Sequence, residues 1–168
     1  MDSKAVSTQS WYARVPIIVS AITCMFIIGV LSAWQAPVAS QLIYVASTGA
    51  SLILVFVLPN SPVSQPYPLL MGNLICAIIG VSCAYLPLQL VYSAAICIGA
   101  CIFFMYLFKA IHPPGGATAM LPLIVGVDMV NGYQFVLFPV MTNMVILTVL
   151  GVMLHKFWLK QDYPAVAR

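Results

Sequence analysis

Long apolar runs alternate with short breaks rich in proline, glycine and polar residues. Six runs stand out, at about 15–34, 38–58, 69–86, 88–108, 113–127 and 134–158. A helix that crosses the hydrocarbon of a bilayer needs about 20 apolar residues, and the first, third, fourth and sixth runs reach or approach that length. The second is long enough but carries Ser47-Thr48-Gly49-Ala50-Ser51 in its middle. The fifth is short. Both are therefore expected as broken or re-entrant segments. The predicted fold is an all-α, polytopic transmembrane helical bundle. Residues 1–14 form an N-terminal tail, 15–158 a single transmembrane domain and 159–168 a C-terminal tail.

Composition hardens this reading. The 168 residues include six Lys or Arg and three Asp or Glu, and 63% are hydrophobic; the mean hydropathy is +1.09. Soluble domains are about a quarter charged. Between residues 15–108 and 111–155 the one charge is Asp128. The net charge of +3 comes from tails and segment ends, with no basic patch to neutralise a run of phosphates, so no nucleic-acid partner is expected. Six crossings with a cytoplasmic N-terminus place Lys4, Arg14, Lys109, Lys156, Lys160 and Arg168 all on the cytoplasmic side, as the positive-inside rule requires, and Asp128 outside. The expected location is a bacterial inner (plasma) membrane, with both termini cytoplasmic. The first run is too long for a signal-peptide core and is read as a retained helix. Trp11, Tyr12, Trp34 and Trp158 sit at segment ends as interface anchors.

Five cysteines, Cys24, Cys76, Cys83, Cys97 and Cys101, lie inside apolar runs. A thiol there packs as a small hydrophobe, and without ligand spacing neither a metal nor a cofactor is expected. Asp128 is the one carboxylate between the tails, so no catalytic constellation is read and an enzyme is not expected.

The two halves echo each other. Gly49-Ala50-Ser51-Leu52-Ile53-Leu54 matches Gly116-Ala117-Thr118-Ala119-Met120-Leu121, and Met71-Gly72-Asn73-Leu74-Ile75 matches Met141-Thr142-Asn143-Met144-Val145. Each Asn is followed by a Gly-Val, at Gly80-Val81 and Gly151-Val152. Two units of three segments, about 15–86 and 88–158, must lie in opposite orientations across the membrane. This is the inverted repeat of many transporters, with the site between the halves.

The most distinctive string runs from Lys109 through His112-Pro113-Pro114-Gly115-Gly116-Ala117-Thr118. Two prolines cannot continue the preceding helix but suit the first turn of a new one, and the glycines allow close approach of a backbone or ligand. A helix start in an apolar setting offers N–H groups and a partial positive charge to an anion. Thr118 would add a hydroxyl, and Lys109 and His112 would add charge. The alternative is that Lys109 snorkels at the interface while His112 caps a turn. Gly49, Ala50 and Ser51 either admit a neighbouring helix or open a second break facing the same site. Asn73 and Asn143 are read first as interhelical hydrogen-bonding groups and second as donors to a bound anion. Gly72, Cys76 and Gly80 form a small-residue stripe for helix packing, as do Ala95 and Gly99.

His112-Pro113-Pro114-Gly115-Gly116-Ala117-Thr118 resembles the signature of the HPP family of membrane proteins. Gly49-Ala50-Ser51 followed by Pro59-Asn60-Ser61-Pro62-Val63-Ser64-Gln65-Pro66 resembles that family's other characteristic block, and the likeness runs from about residue 15 to Pro164. The chain departs from the family pattern at Gly115, where Ala is more frequent, and at Tyr67, near which a basic residue is usual. The resemblance implies four spans, against the six counted from the apolar runs if the second and fifth cross fully, and it implies transport, most of all of nitrite, with which family members in photosynthetic bacteria and plastids are associated. The expected function is thus a transporter or channel for a small inorganic anion, built as a homodimer or other homo-oligomer. The competing reading is a membrane-embedded ligand sensor or scaffold without transport.

Overall fold

The computed structural model describes residues 11–33 and 38–165. Trp34 and the tail charges Asp2, Lys4 and Arg168 lie outside the described residues, as do the side chains of Trp11 and Tyr12. Six helical elements follow one another, with no strand among the described residues: α1 (Trp11–Ala33), α2 (Val38–Val57), α3 (Pro66–Ala84), α4 (Leu90–Leu107), α5 (Gly115–Val125) and α6 (Val136–Leu159). Four windows are long and apolar enough to cross a membrane: Arg14–Leu31, Pro66–Ala84, Leu90–Leu107 and Val136–Leu159. The all-α membrane bundle expected from the apolar pattern is the fold observed.

Local chemistry sets the element ends. Pro66 opens α3 directly after Gln65, where a missing N–H costs nothing. Gly126, at φ 93°, ends α5 in a conformation that a side chain would strain. Within α6, Val136–Met141 and Leu154–Leu159 are π-helical turns around the α-helical Thr142–Met153. The first contains Pro139 and a non-helical Phe138 (φ −123°, ψ 108°), so the kink falls where proline removes a ladder bond.

Side-chain contacts order the ends of the bundle. Arg14 of α1 shares a cleft with Pro59, Asn60 and Lys160, while Tyr67 at the start of α3 donates to the carbonyl of Phe108 just past α4. Tyr163 beyond α6 donates to Ser64 O. Opposite, Tyr133 before α6 meets Ser82 and stacks on Tyr85 at the end of α3. Among the described residues, Arg14, Lys109, Lys156 and Lys160 therefore gather at one end, the basic end, and Asp128 lies at the other.

The second and fifth runs differ from each other. α2 passes through Gly49-Ala50-Ser51 without interruption, so the expected break there is absent. In an apolar surround every backbone N–H and C=O must be paired, and an unbroken helix pairs them at small cost for one glycine. The fifth run is broken at its start. Its 11 helical residues rise only about 16 Å, about half of a hydrocarbon core. Residues 110–112, outside any helix, and the Pro113-Pro114 turn bring the chain down alongside α3 from the basic end.

α5 lies along α3 as the most closely packed pair in the bundle, and the small-residue stripe is the reason. A Cβ on Gly72 would stand 2.7 Å from both Ala110 O and His112 Cβ, and one on Gly80 would overlap the backbone of Ala119. Cys76 sits against Gly115, whose own Cβ would reach its sulfur at 2.9 Å. Cys76, Cys83, Cys97 and Cys101 pack with Met105 and Ala119 into a small core between α3, α4 and α5, and Cys24 belongs to the larger core of α1, α2, α3 and α6. Outward, α1 and α4 present Phe26, Val91, Phe103 and Tyr106, the apolar surface that a bilayer covers.

Candidate functional site

A chain of neutral polar side chains runs through the apolar interior where α2, α3 and α5 meet. Thr118 Oγ1 donates to Asn73 Oδ1 at 2.7 Å, and its lone pairs face the Ser47 hydroxyl at 2.6 Å. Ser47 also lies 3.2 Å from Pro114 O. Asn73 Nδ2 donates to Leu69 O at 2.8 Å and reaches the sulfur of Met144 on α6 at 3.2 Å. One turn nearer the basic end, His112 lies 2.8 Å from Val63 O through Nδ1 and 2.9 Å from Ser51 Oγ through Nε2. A carbonyl only accepts, so Nδ1 carries the proton, and in the neutral ring Nε2 accepts from Ser51. Ser51, Asn73 and His112 are completely buried. Apart from the Asn73–Leu69 bond within α3, these hydrogen bonds join one element to another, in surroundings where a polar group left unpaired is costly.

The sequence builds this arrangement by close approach. Glycine at 72 lets residues 110–112 settle onto α3, which drops the imidazole of His112 between the 59–65 loop and α2. The Pro113-Pro114 turn then starts α5 with Thr118 one turn in, facing Asn73.

Other sequence-predicted residues take different places. Lys109 is exposed at the basic end, in a left-handed conformation (φ 52°) that turns the chain after α4. The N–H groups at the start of α5 are already used: Gly115 donates to His112 O, Gly116 to Pro113 O, and Ala117 and Thr118 to Pro114 O. The prolines that allow a helix to start here also supply carbonyls that satisfy its first amides. Gly49 and Ala50 are half-buried, with nothing within 4 Å of a Cβ at Gly49. Gly116 faces only Ile98. Asn143 is buried on α6 beside Met144. Ala117 and Thr118 line a small cavity with Ser47, Thr48, Phe135 and Met144; its free space is about 10 Å³, room for one water at most.

Comparison with known proteins agrees with the segments and the site string together. The family model described as the HPP transmembrane region matches residues 7–164, which takes in all six helices. The chain belongs to the HPP family. Two transmembrane proteins of Dictyostelium discoideum are similar to it: one is 27% identical over 150 residues, covering 86% of this chain and 52% of the relative, and the other is 30% identical over 122 residues, covering 70% and 39%. The chain thus spans about half the length, or less, of these relatives. No solved structure matches it.

In this HPP chain the 59–65 loop is a structural hub that sequence reasoning treated only as part of a resemblance. Three consecutive residues hold two distant segments, the one before α5 and the one beyond α6. Val63 O meets His112, Ser64 O accepts from Tyr163 at 2.7 Å, and Gln65 Oε1 accepts from the amide of Ala165 at 2.8 Å. Gln65 Nε2 also closes its own loop through Pro59 O and Ser61 O. His155, fully buried, lies between Val55 O and Gln161 and stacks on Phe56. His155 and Tyr163 carried no motif, and Ser47 was read only as part of the string that interrupts the second run. Apart from Gln161 beside His155, their partners are main-chain carbonyls or a distant hydroxyl, which leave no trace in spacing.

Proposed function

We propose that this chain moves a small inorganic anion, nitrite first among them, across the membrane it spans. The observation that carries the reading is the buried hydroxyl, amide and imidazole chain from Ser51 and His112 to Ser47, Thr118 and Asn73. Such bonds also hold helices together, but five polar side chains in one file through the apolar interior are in addition the groups a permeant ion needs to replace its hydration. The small free space at Thr118 corresponds to an occluded state. Passage then requires α2 and α5 to separate, exchanging the Ser47–Thr118 and Ser51–His112 bonds for bonds to the ion, and releasing amides of the α5 start from the Pro113-Pro114 turn. Moving halves suit two inverted three-segment units working as a homodimer, with the basic end and both termini on the cytoplasmic side of a bacterial inner membrane.

Ser51 and His112 also have the pairing of a nucleophile and its base. Both are buried away from the cavity, and the third partner is a carbonyl rather than a carboxylate, so the pair is read as a gate and not a catalytic dyad. The closed site favours a second reading, a ligand sensor or scaffold that binds without flux. Purified protein in liposomes tests them. Nitrite entry that exceeds that of empty liposomes and falls in His112→Leu supports transport; saturable nitrite binding with no flux supports the sensor; neither result removes the anion from the account.

A further inference from the structure

Every residue of the buried polar chain belongs to sequence without a formal charge. Between residues 15–108 and 111–155 the one charged residue is Asp128, which is exposed and follows α5, whereas His112 precedes it. Ser47, Ser51, Asn73 and Thr118 therefore offer an ion dipoles and no charge. Dipoles replace hydration, but a net charge held in a dry interior stays costly unless an opposite charge joins it. Among the five side chains, His112 alone can supply one. Its Nδ1 donates to Val63 O, and its Nε2, 2.9 Å from Ser51 Oγ, is the position for a second proton. While Nε2 is bare, Ser51 donates to it. Once Nε2 is protonated the direction reverses, and Ser51 turns its own proton to the carbonyl of residue 47, one turn back in α2, as helical serines do. Val63 O accepts from Nδ1 in both states, so the ring stays in place.

The ring receives Ser51 from α2, the carbonyl of Val63 from the 59–65 loop and the close approach of Gly72 from α3. The ionisable side chains on those elements are Tyr44 of α2, whose side chain lies outside the described residues, and Tyr67, Cys76 and Cys83 of α3; the loop and α5 have none. Tyr67 donates to Phe108 O, and the Cys76 thiol faces the sulfur of Met105. Tyr163 donates to Ser64 O, next to Val63, and His155 lies on Val55 O, one turn of α2 beyond Ser51. Lys109, on the segment of His112 itself, is exposed. We infer that an anion enters this polar chain together with one proton, which His112 Nε2 takes from water, so that ion and imidazolium form a neutral pair in the dry region. The inference rests on the transport reading and adds the co-substrate, a proton. An imidazolium buried without an anion is costly for the same reason as an anion without an imidazolium, so each favours the binding of the other. Release of both on the far side makes the passage electroneutral.

Titration calorimetry of the full chain in neutral detergent with sodium nitrite, at about pH 7.5 in buffers of different ionisation enthalpy, counts the protons taken up with each ion. About one is expected, and the affinity should fall roughly tenfold for each pH unit over which the unbound ring is neutral. His112→Gln keeps a donor for Val63 O and an acceptor for Ser51 but takes no proton. It is expected to count none, and to bind nitrite roughly tenfold or more weakly with no such pH dependence. Lys109→Asn, a residue that tolerates the left-handed turn, removes the neighbouring lysine and should keep the count. A second readout needs no variant at site 112: the chain has two histidines, and in nitrogen-15 spectra nitrite should convert one of them to imidazolium, in His155→Gln as in the natural chain. No proton taken up by the natural chain, uptake that persists in His112→Gln because the proton sits on the ion, an equal loss in Lys109→Asn, or two histidines unchanged by nitrite would each overturn the inference while the transport reading stands. Absence of nitrite binding also overturns it, and absence of flux removes the transport reading as well.

Discussion

Thr118 on α5 donates its hydroxyl proton to Asn73 Oδ1 on α3 across 2.7 Å, with both side chains buried. This bond orders the rest of the chain, because it leaves the lone pairs of Thr118 as the acceptor for Ser47. Thr118→Val keeps the shape but removes the donor, stranding Asn73 Oδ1 in an apolar interior. The expected loss is about 1–2 kcal/mol, read as a lower unfolding midpoint of the purified protein in detergent. Thr118→Ser should recover most of it. An unaltered midpoint in the valine variant would mean that Asn73 finds another partner.

The glycines divide sharply by what a methyl group would meet. Gly80→Ala drives a Cβ into the main chain of Ala119, and Gly72→Ala drives one against Ala110 O and His112 Cβ. Backbone cannot step aside as a flexible side chain can, so each substitution is expected to cost about 1–3 kcal/mol and to displace α5 or the His112 segment. Gly116→Ala meets only Ile98 Cδ1, at 3.8 Å, and should leave the melting temperature unchanged. Thermal melts of the three variants side by side check the order; a Gly116 variant as unstable as the Gly80 variant would contradict the packing described.

Tyr163 gives a dependence on alkaline pH. Burial pushes its hydroxyl from 10.0 up to about 12, and the neutral form donates to Ser64 O. The folded-state value is raised, so this contribution is complete below pH 10, where the group is protonated in both states. It declines as pH rises from about 10 toward 12 and the unfolded chain alone ionises, and it is gone above the folded value. The melting temperature of the natural chain should therefore approach that of Tyr163→Phe as pH climbs through this window. Two melting curves that stay parallel from pH 8 to about 12 would show that Tyr163 ionises freely.

The sequence by itself determined the apolar segments, the helix start after Pro113-Pro114 and the small-residue stripe at Gly72, Cys76 and Gly80, because each follows from local rules: residue hydropathy, the missing proline N–H and the absence of bulk. It also singled out Asn73, His112 and Thr118, which are buried and hydrogen-bonded in the fold. Tertiary structure decided what they do. Whether a helix-start amide is free depends on where the preceding carbonyls point, and in this chain His112, Pro113 and Pro114 turn theirs inward onto residues 115–118. Whether a lysine near a site serves it depends on the turn beside it, and φ 52° at Lys109 leaves that side chain outside. Ser47 and the carbonyl of Val63 became partners of Thr118 and His112 only through the approach of segments 71 and 49 residues apart in the chain. Hydrogen bonding acts over about 3 Å in space, and only the packing of α5 onto α3 brings those atoms within that range.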